Sequence, residues 1–416
     1  MNWIVLGYST YAVLSLGSMA TMSLGIGVLV ACLLVGLGGP KALAQAIGDD
    51  WRRNSVYRGY FWLALALAGA CAISLVAAAI WPLGYGGKQV VVHFGRDMAK
   101  AWYLFWPLLL YTGLSRVSEG ERGRIVRAWL LAFGLLSVIG IVQHFTGWPR
   151  PQAVPNFPGR FHATLFMGHH LSVASILIFP FFAALDLGFR KDAAKLTAGL
   201  TRPWLLVMAL AGGITLFLTF SRILWVALPA GLALWAALAL PRRWVLALLS
   251  ALLISGLVAF QSPLIRERAF SQMGTTERYA LWSANWEFFK ERPLTGAGWH
   301  HNAKLSGAYL SEKKGGGSVF SGHAHNNVIE QLGGMGLIGL VAWLAWWLGV
   351  IAWTVRARSV PGFARGILCA WFVFQLNGLT QVNFWESKVL HQQAWMIAFV
   401  MVWVSSSSAR RKAKSS

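Results

Sequence analysis

Residues 321–340 read SGHAHNNVIEQLGGMGLIGL, and they join the histidine-containing end of a polar loop to a glycine-rich apolar run. The apolar run continues to about residue 354, which is long enough to enter a bilayer as a helix. Histidine is the side chain whose charge changes closest to neutral pH. We therefore expect chemistry on a lipid-borne substrate at this loop end, beside the mouth of a membrane span.

The composition of the whole chain agrees with a membrane location. Of its 416 residues, 56% are hydrophobic and only 12% are charged, which is too apolar for an ordinary water-soluble protein. Lipid admits only helices or closed barrels, and continuous rather than alternating apolar runs favour helices. We predict an all-α integral membrane protein with about twelve transmembrane helices, at residues 3–20, 22–38, 59–82, 99–115, 126–146, 164–188, 203–220, 223–240, 244–260, 326–354, 366–384 and 389–405.

Lysine and arginine set the predicted orientation. They cluster in alternate connectors and in the C-terminal tail, so the positive-inside rule places these segments and both termini in the cytoplasm. Topology thus accounts for most of the net charge of +22, and we expect no nucleic-acid partner. The predicted divisions are transmembrane helices 1–9 in residues 1–260, an external (periplasmic) loop or lid in 261–325, helices 10–12 in 326–405 and a basic cytoplasmic tail in 406–416. Residues 3–38 fit either one long helix or a tight hairpin.

The loop at 261–325 is the only connector long enough to hold structure of its own. Its segment 276–292 predicts an amphipathic helix, which Pro293 ends, with aromatic residues spaced i, i+4 and i+7 at Trp282, Trp286 and Phe289. Tryptophans of this kind suit a helix that lies among lipid headgroups. The glycine-rich stretch Gly315 to Gly317 predicts a mobile, lid-like segment.

Three arginines, Arg160, Arg222 and Arg278, fall on the predicted external side, where the positive-inside rule does not require cations. Each taken alone fits a side chain that snorkels to the surface or pairs with an external glutamate. Taken together they favour phosphate binding, because the planar guanidinium is a preferred bidentate partner of phosphate oxygens. A cluster of them beside a bilayer suits a lipid diphosphate.

His325 is the main candidate for a general base. A neutral imidazole can accept a proton from an attacking hydroxyl at neutral pH, although many histidines at helix starts are simply structural. The secondary candidates are His323, which is two residues away, Asn326, which follows directly, and His169 of the MGHH segment.

The acidic residues argue against a metal. Asp97 is the only aspartate predicted on the external side, and no paired carboxylates occur there to hold Mg²⁺ or Mn²⁺. The helical His-x-x-x-His pattern with an adjoining glutamate is also missing. We therefore expect a site without metal or cofactor, in which the arginines neutralise a diphosphate leaving group.

Four segments together resemble the O-antigen ligase and polymerase superfamily. They are HNNVIEQLGGMGLIGL, ERYALWSANWEFFKERPLTGAG, FSRILW and, more loosely, PGRFHATLFMGHH. By this resemblance His325 matches the essential histidine of the family, and Arg222 and Arg278 match its two essential arginines. Arg160 is not carried over from the resemblance and is added from its predicted external position, and Glu277 stands where many members have glycine.

The resemblance to O-antigen ligases implies an activity and a location. It implies transfer of polymerised O-antigen from an undecaprenyl-diphosphate carrier to lipid A–core, without a metal, at the periplasmic face of the Gram-negative inner membrane. The implied partners are the lipid-linked donor, the lipid A–core acceptor and membrane lipids. An O-antigen polymerase, or an oligosaccharyltransferase that glycosylates protein, would share the donor and differ in the acceptor. A transporter of lipid-linked glycans is a further alternative, but it would favour an internal repeat, and none is obvious.

Overall fold

The computed structural model of the chain describes residues 2–85, 87–155, 157–270, 275–313 and 321–415. Its helices are α1 (Trp3–Leu14), α2 (Met19–Leu37), α3 (Pro40–Arg53), α4 (Ser55–Ile80), α5 (Phe94–Asp97), α6 (Trp106–Leu114), α7 (Glu119–Thr146), α8 (His170–Gly188), α9 (Ala193–Leu196), α10 (Arg202–Phe217), α11 (Leu224–Ala239), α12 (Arg242–Gln261), α13 (Pro263–Phe270), α14 (Thr275–Glu291), α15 (Asn302–Lys313), α16 (Asn327–Ala357), α17 (Ala364–Asn377) and α18 (Ser387–Ser415). A 3₁₀ segment, Met98–Leu104, precedes α6, and β1 (Gly84–Tyr85) pairs antiparallel with β2 (Lys88–Gln89).

Seven helices within the described ranges are long and apolar enough to cross a membrane. They are α2, α4, α7, α8, α12, α16 and the first part of α18, Ser387–Ser407. Three shorter apolar helices, α1, α10 and α11, fall on other predicted spans. The all-α membrane class is therefore confirmed. The count of twelve remains a prediction, because the runs predicted at 99–115 and 366–384 form only the short helices α6 and α17.

The N-terminal 38 residues form the hairpin rather than the single long helix. Helix α1 ends at Leu14, and the Ser18 side chain accepts a hydrogen bond from the backbone N–H of Thr21 at 3.3 Å to start α2. Serine is a preferred N-cap because its hydroxyl satisfies an N–H group that has no partner within the helix. The two helices pack against each other directly.

The helices differ in how deeply they lie in the bundle. Most residues of α8 and of the apolar part of α18 are buried, and α8 packs against α10 and α17. In contrast, none of the twenty residues of α12, all within the described ranges, is buried. An apolar helix of this kind is suited to contact lipid.

A second, smaller hydrophobic core lies outside the main bundle. It joins α14, α15 and the β hairpin through buried side chains such as Tyr85, Phe288 and Leu305. Helix α14 coincides with the predicted amphipathic helix, whereas Gly315 to Gly317 lie outside the described residues. We call the side of the bundle that carries α14, α15 and residues 321–326 the loop face.

A break in α16 ties this small core to the bundle. Gly336 has a φ of +62°, and the backbone N–H groups of Leu337 and Ala297 donate to the carbonyls of Pro293 and Gly333, both at 2.8 Å. A Cβ atom at Gly336 would collide with the backbone of Leu294, so this close approach requires glycine. The glycine-rich run thus binds the backbone of the loop that follows α14, which fixes α14 relative to the start of α16.

Candidate active site

Two hydrogen bonds to its backbone hold Ala324, the residue before His325, in place. Its N–H donates to Glu330 Oε2 at 2.7 Å, and its carbonyl accepts from Trp282 Nε1, also at 2.7 Å. The next residue, His325, has a φ of +49°, a left-handed conformation that histidine adopts more often than most side chains. The two hydrogen bonds at Ala324 hold His325 in this conformation at the junction of α14 and α16.

Asn326 caps helix α16. Its Oδ1 accepts from the N–H groups of Val328 at 2.9 Å and Ile329 at 3.1 Å, while its Nδ2 donates to the Leu379 carbonyl at 2.9 Å. Asparagine is among the strongest N-cap residues. These three hydrogen bonds give Asn326 a structural task, whereas its role as a secondary site candidate remains a prediction.

The imidazole of His325 is half-buried and contacts Gln381, whose Oε1 lies 3.2 Å from His325 Nδ1. Burial lowers the pKa of His325 below its ordinary value of 6.5, the Gln381 hydrogen bond partly opposes this, and the Arg278 cation adds to it. The ring is therefore neutral at pH 7, as a general base must be. The His323 ring lies 4.2 Å away between centroids, and burial lowers the pKa of His323 to about 4.

Arg222 and Arg278 come from different parts of the chain and lie near each other. Arg222 is in the short turn between α10 and α11, where Phe220 has a φ of +54°, and Arg278 is in the first turn of α14. Burial lowers the pKa of Arg278, and the nearby Arg222 cation lowers it further. Because Arg278 also acts on His325, Arg278 lies near both of the other residues that the sequence motifs predicted.

Arg160 lies apart from this group. Its side chain is exposed, and its guanidinium carbon lies 4.9 Å from the centre of the Phe145 ring, an attractive cation–π geometry. It neighbours His144, whose ring stacks on Phe220 at 5.7 Å, next to the turn that carries Arg222. Arg160 is thus near the rim of the site, and its part in substrate binding remains a prediction.

His169 lies near His323 and His325. Its ring stacks on His170 at 5.1 Å, and burial, together with the Lys388 cation, lowers the pKa of His169. Lys388 Nζ donates to the Met167 carbonyl at 2.7 Å. His169 acts electrostatically on both His323 and His325, so the secondary histidine candidates share one polar wall with the main one.

Glu386 adds a carboxyl group to this wall. It accepts a hydrogen bond from Ser172, and burial raises the pKa of Glu386. Glu386 and Gln381 are not among the site residues predicted from the sequence. Both lie in the connector between α17 and α18, far along the chain from every motif, and no local pattern marks them.

A different polar cluster lies on the loop face around Asp97. Asp97 Oδ2 accepts from His301 Nε2 and from the His93 backbone N–H, both at 2.9 Å, and Lys304 Nζ is 3.6 Å from Oδ1. Burial would raise the pKa of Asp97, but these hydrogen bonds and the lysine outweigh it and hold the pKa below its ordinary value. The cluster ties α15 to the segment before α6.

The sequence predicts a site that works without a metal ion. Among the residues that the structure describes, no group of three or more His, Cys, Asp or Glu side chains is positioned to hold a metal ion. Metal independence remains a prediction for experiment.

Fold and site together define a polytopic helical membrane protein with a basic, histidine-containing candidate site on one face. Residues 206–344, about a third of the chain, match the family model of the O-antigen ligases. This match confirms the resemblance over that range and supports membership of the O-antigen ligase family. The matched range contains Arg222, Arg278 and His325, and the family consists of glycosyltransferase-like enzymes that use lipid-linked glycans. No curated protein matches the chain.

Proposed function

We propose that the protein transfers polymerised O-antigen from undecaprenyl diphosphate to a sugar hydroxyl of lipid A–core, at the periplasmic face of the inner membrane. The observation that supports this proposal is that Arg278 lies near both Arg222 and the neutral imidazole of His325. Cations for a phosphate leaving group and a base for a hydroxyl nucleophile are the two requirements of such a transfer.

The arginine pair would bind the diphosphate of the donor. Two guanidinium groups held close together repel each other, and a bound diphosphate would relieve that repulsion with charge-assisted, bidentate hydrogen bonds. As the glycosidic bond breaks, its electron pair goes to the diphosphate oxygen, where the same cations stabilise the added charge. No divalent ion is needed for this step.

His325 would act as the general base. It takes the proton of the acceptor hydroxyl as that oxygen attacks the anomeric carbon, and the bond to diphosphate breaks on the opposite side. A single displacement of this kind inverts the anomeric configuration. A diphosphate leaves without protonation, so the reaction requires no general acid.

An apolar groove between α14 and α16 offers a path for the polyprenyl chain of the donor. It has a volume of about 400 Å³ and is lined by Trp282, Ser283, Asn285, Trp286, Ile329 and Leu332. Trp282 follows Arg278 by one turn of α14, and Ile329 lies in the first turn of α16, whose N-cap Asn326 directly follows His325. The groove therefore begins beside the diphosphate and the base, where the chain of a bound donor would leave the site.

The choice of acceptor needs a direct experiment. The purified protein is given one polyprenyl-diphosphate-linked glycan and, in separate reactions, lipid A–core, a second molecule of the same donor, or an acceptor protein. We expect product only with lipid A–core. Glycan chains lengthened on the donor would instead identify a polymerase, and glycosylated protein would identify an oligosaccharyltransferase.

A further inference from the structure

The connector between α17 and α18 wraps around the start of α16. The N–H of Asn327 donates to the Gly378 carbonyl at 2.7 Å, and the Asn327 Nδ2 donates to Asn383 Oδ1, also at 2.7 Å. With the Asn326 bond to Leu379, these contacts place Gln381 beside His325. The fold thus holds one amide against one nitrogen of the candidate base.

The chemistry of this contact distinguishes the two ring nitrogens. The Oε1 atom of Gln381 can only accept a hydrogen bond, so the His325 Nδ1 atom facing it at 3.2 Å must carry a hydrogen. In a neutral imidazole the other nitrogen, Nε2, then holds the lone pair. Gln381 is itself buried, with only 4% of its surface exposed, so solvent does not compete freely for this bond.

We propose that Gln381 is a positioning residue that keeps His325 in the Nδ1–H form, so that Nε2 is the atom that receives the acceptor proton. This inference rests on the proposed function and assigns a new residue to it. When the proton arrives on Nε2, the Nδ1–H group becomes part of a cation, and its bond to the Gln381 carbonyl strengthens.

A neutral amide suits this position better than a carboxylate would. A carboxylate beside His325 would also attract Arg278 and so compete with the diphosphate for that cation. Gln381 can orient the ring without adding a charge to the site.

The groups around His325 determine how its titration depends on Gln381. The Arg278 cation on α14 and His169 before α8 lower the pKa of His325, and His323 lies on the same loop. Gln381 acts in the opposite direction and raises that pKa. Removing the Gln381 hydrogen bond should therefore lower the pKa of His325, and activity, which needs the neutral ring, should persist to lower pH.

The direct test is ¹⁵N NMR of histidine-labelled full-length protein in nanodiscs, with His325→Ala used to assign the His325 signals. Wild type should show a protonated Nδ1 and a bare Nε2 at His325. Gln381→Leu should abolish this preference, lower kcat about tenfold, as expected for losing one hydrogen bond, and shift the acidic limb of the kcat profile to lower pH. Gln381→Glu keeps an acceptor, so it should retain the Nδ1–H form and move the acidic limb to higher pH.

Gln375→Leu is the matched control. Gln375 lies in α17, and its Nε2 atom is buried without a hydrogen-bond partner among the described residues, so the same substitution there breaks no bond. It should leave the His325 signals and the pH profile unchanged.

Three outcomes would overturn the inference: an Nε2–H form in wild type, an unchanged tautomer in Gln381→Leu, or a loss of activity in Gln381→Leu with no shift of the acidic limb. A failure of the proposed function would look different. In that case the tautomer would still depend on Gln381, while His325→Ala would remain active.

Discussion

Two polar clusters lie on the loop face, and both contain histidines, but their electrostatic surroundings are opposite. In the first, His301 bonds to the Asp97 carboxylate, with Lys304 completing the ion cluster. In the second, His325 bonds to the neutral Gln381 and lies near the Arg278 cation.

The difference separates a structural histidine from a chemically available one. In the Asp97 cluster, the carboxylate is hydrogen-bonded to other residues of the protein. These bonds join α15 to the segment before α6. Around His325, burial and the Arg278 cation keep the imidazole neutral while leaving net positive charge for an anionic ligand. Histidine content alone would not have distinguished the two clusters.

The substitution His325→Ala should have the largest effect on transfer. We expect transfer to fall roughly 10²- to 10⁴-fold, the usual contribution of a positioned base, with donor binding retained because the arginines remain. Transfer rates and donor affinity of the purified variant measure the two effects separately. Near-normal transfer would remove His325 from the mechanism.

Replacement of Arg278 by lysine should have the next largest effect. Arg278→Lys keeps the charge but loses the planar fork, so we expect kcat/KM for the donor to fall roughly 10- to 100-fold, as for loss of one charged hydrogen bond. Arg266→Lys is the control, because Arg266 lies exposed in α13 and bonds only to the Phe260 carbonyl among its described contacts. Equal rates for Arg278→Lys and wild type would mean that charge alone is sufficient.

Filling the apolar groove should raise KM only for donors that carry a long prenyl chain. Ser283→Trp places a large ring between α14 and α16, and we expect KM for an undecaprenyl donor to rise about tenfold, the scale of a pocket mismatch of one or two methylene groups. A donor with a short prenyl chain should be unaffected and serves as the control. A similar rise with both donors would place the polyprenyl chain elsewhere.

We expect the smallest change in kcat from a substitution in the Asp97 cluster. His301→Ala leaves Asp97 without its buried partner, so we expect a loss of about 1–3 kcal/mol of stability but little change in kcat at a temperature where the variant is folded. Thermal unfolding and transfer assays on the same preparation test this. A large fall in kcat without loss of stability would show that the two clusters are not functionally distinct.

Much of this architecture follows from local sequence. The apolar runs predicted the long spans, and the aromatic spacing together with Pro293 predicted α14. This was possible because helix length and periodicity depend on residues that are close in the sequence. Asn326, which was predicted only as a secondary site residue, has the type and the place before an apolar run that are typical of an N-cap.

Contacts between distant segments were not predictable in this way. Gln381 meets His325 across 56 residues only because the α17–α18 connector folds back onto α16. The partner of Asp97 is His301, 204 residues away, and no local pattern marks that pair. Similarly, no local pattern predicts that the glycine run of α16 binds the backbone of the loop after α14.

The most direct test of the central claim is transfer in a purified system that contains the protein, a polyprenyl-diphosphate-linked glycan, lipid A–core and excess EDTA. We expect wild-type transfer at an unchanged rate and almost none with His325→Ala. Transfer that is abolished by EDTA and restored by Mn²⁺, or that survives in His325→Ala, would contradict a site built from two arginines and one neutral histidine.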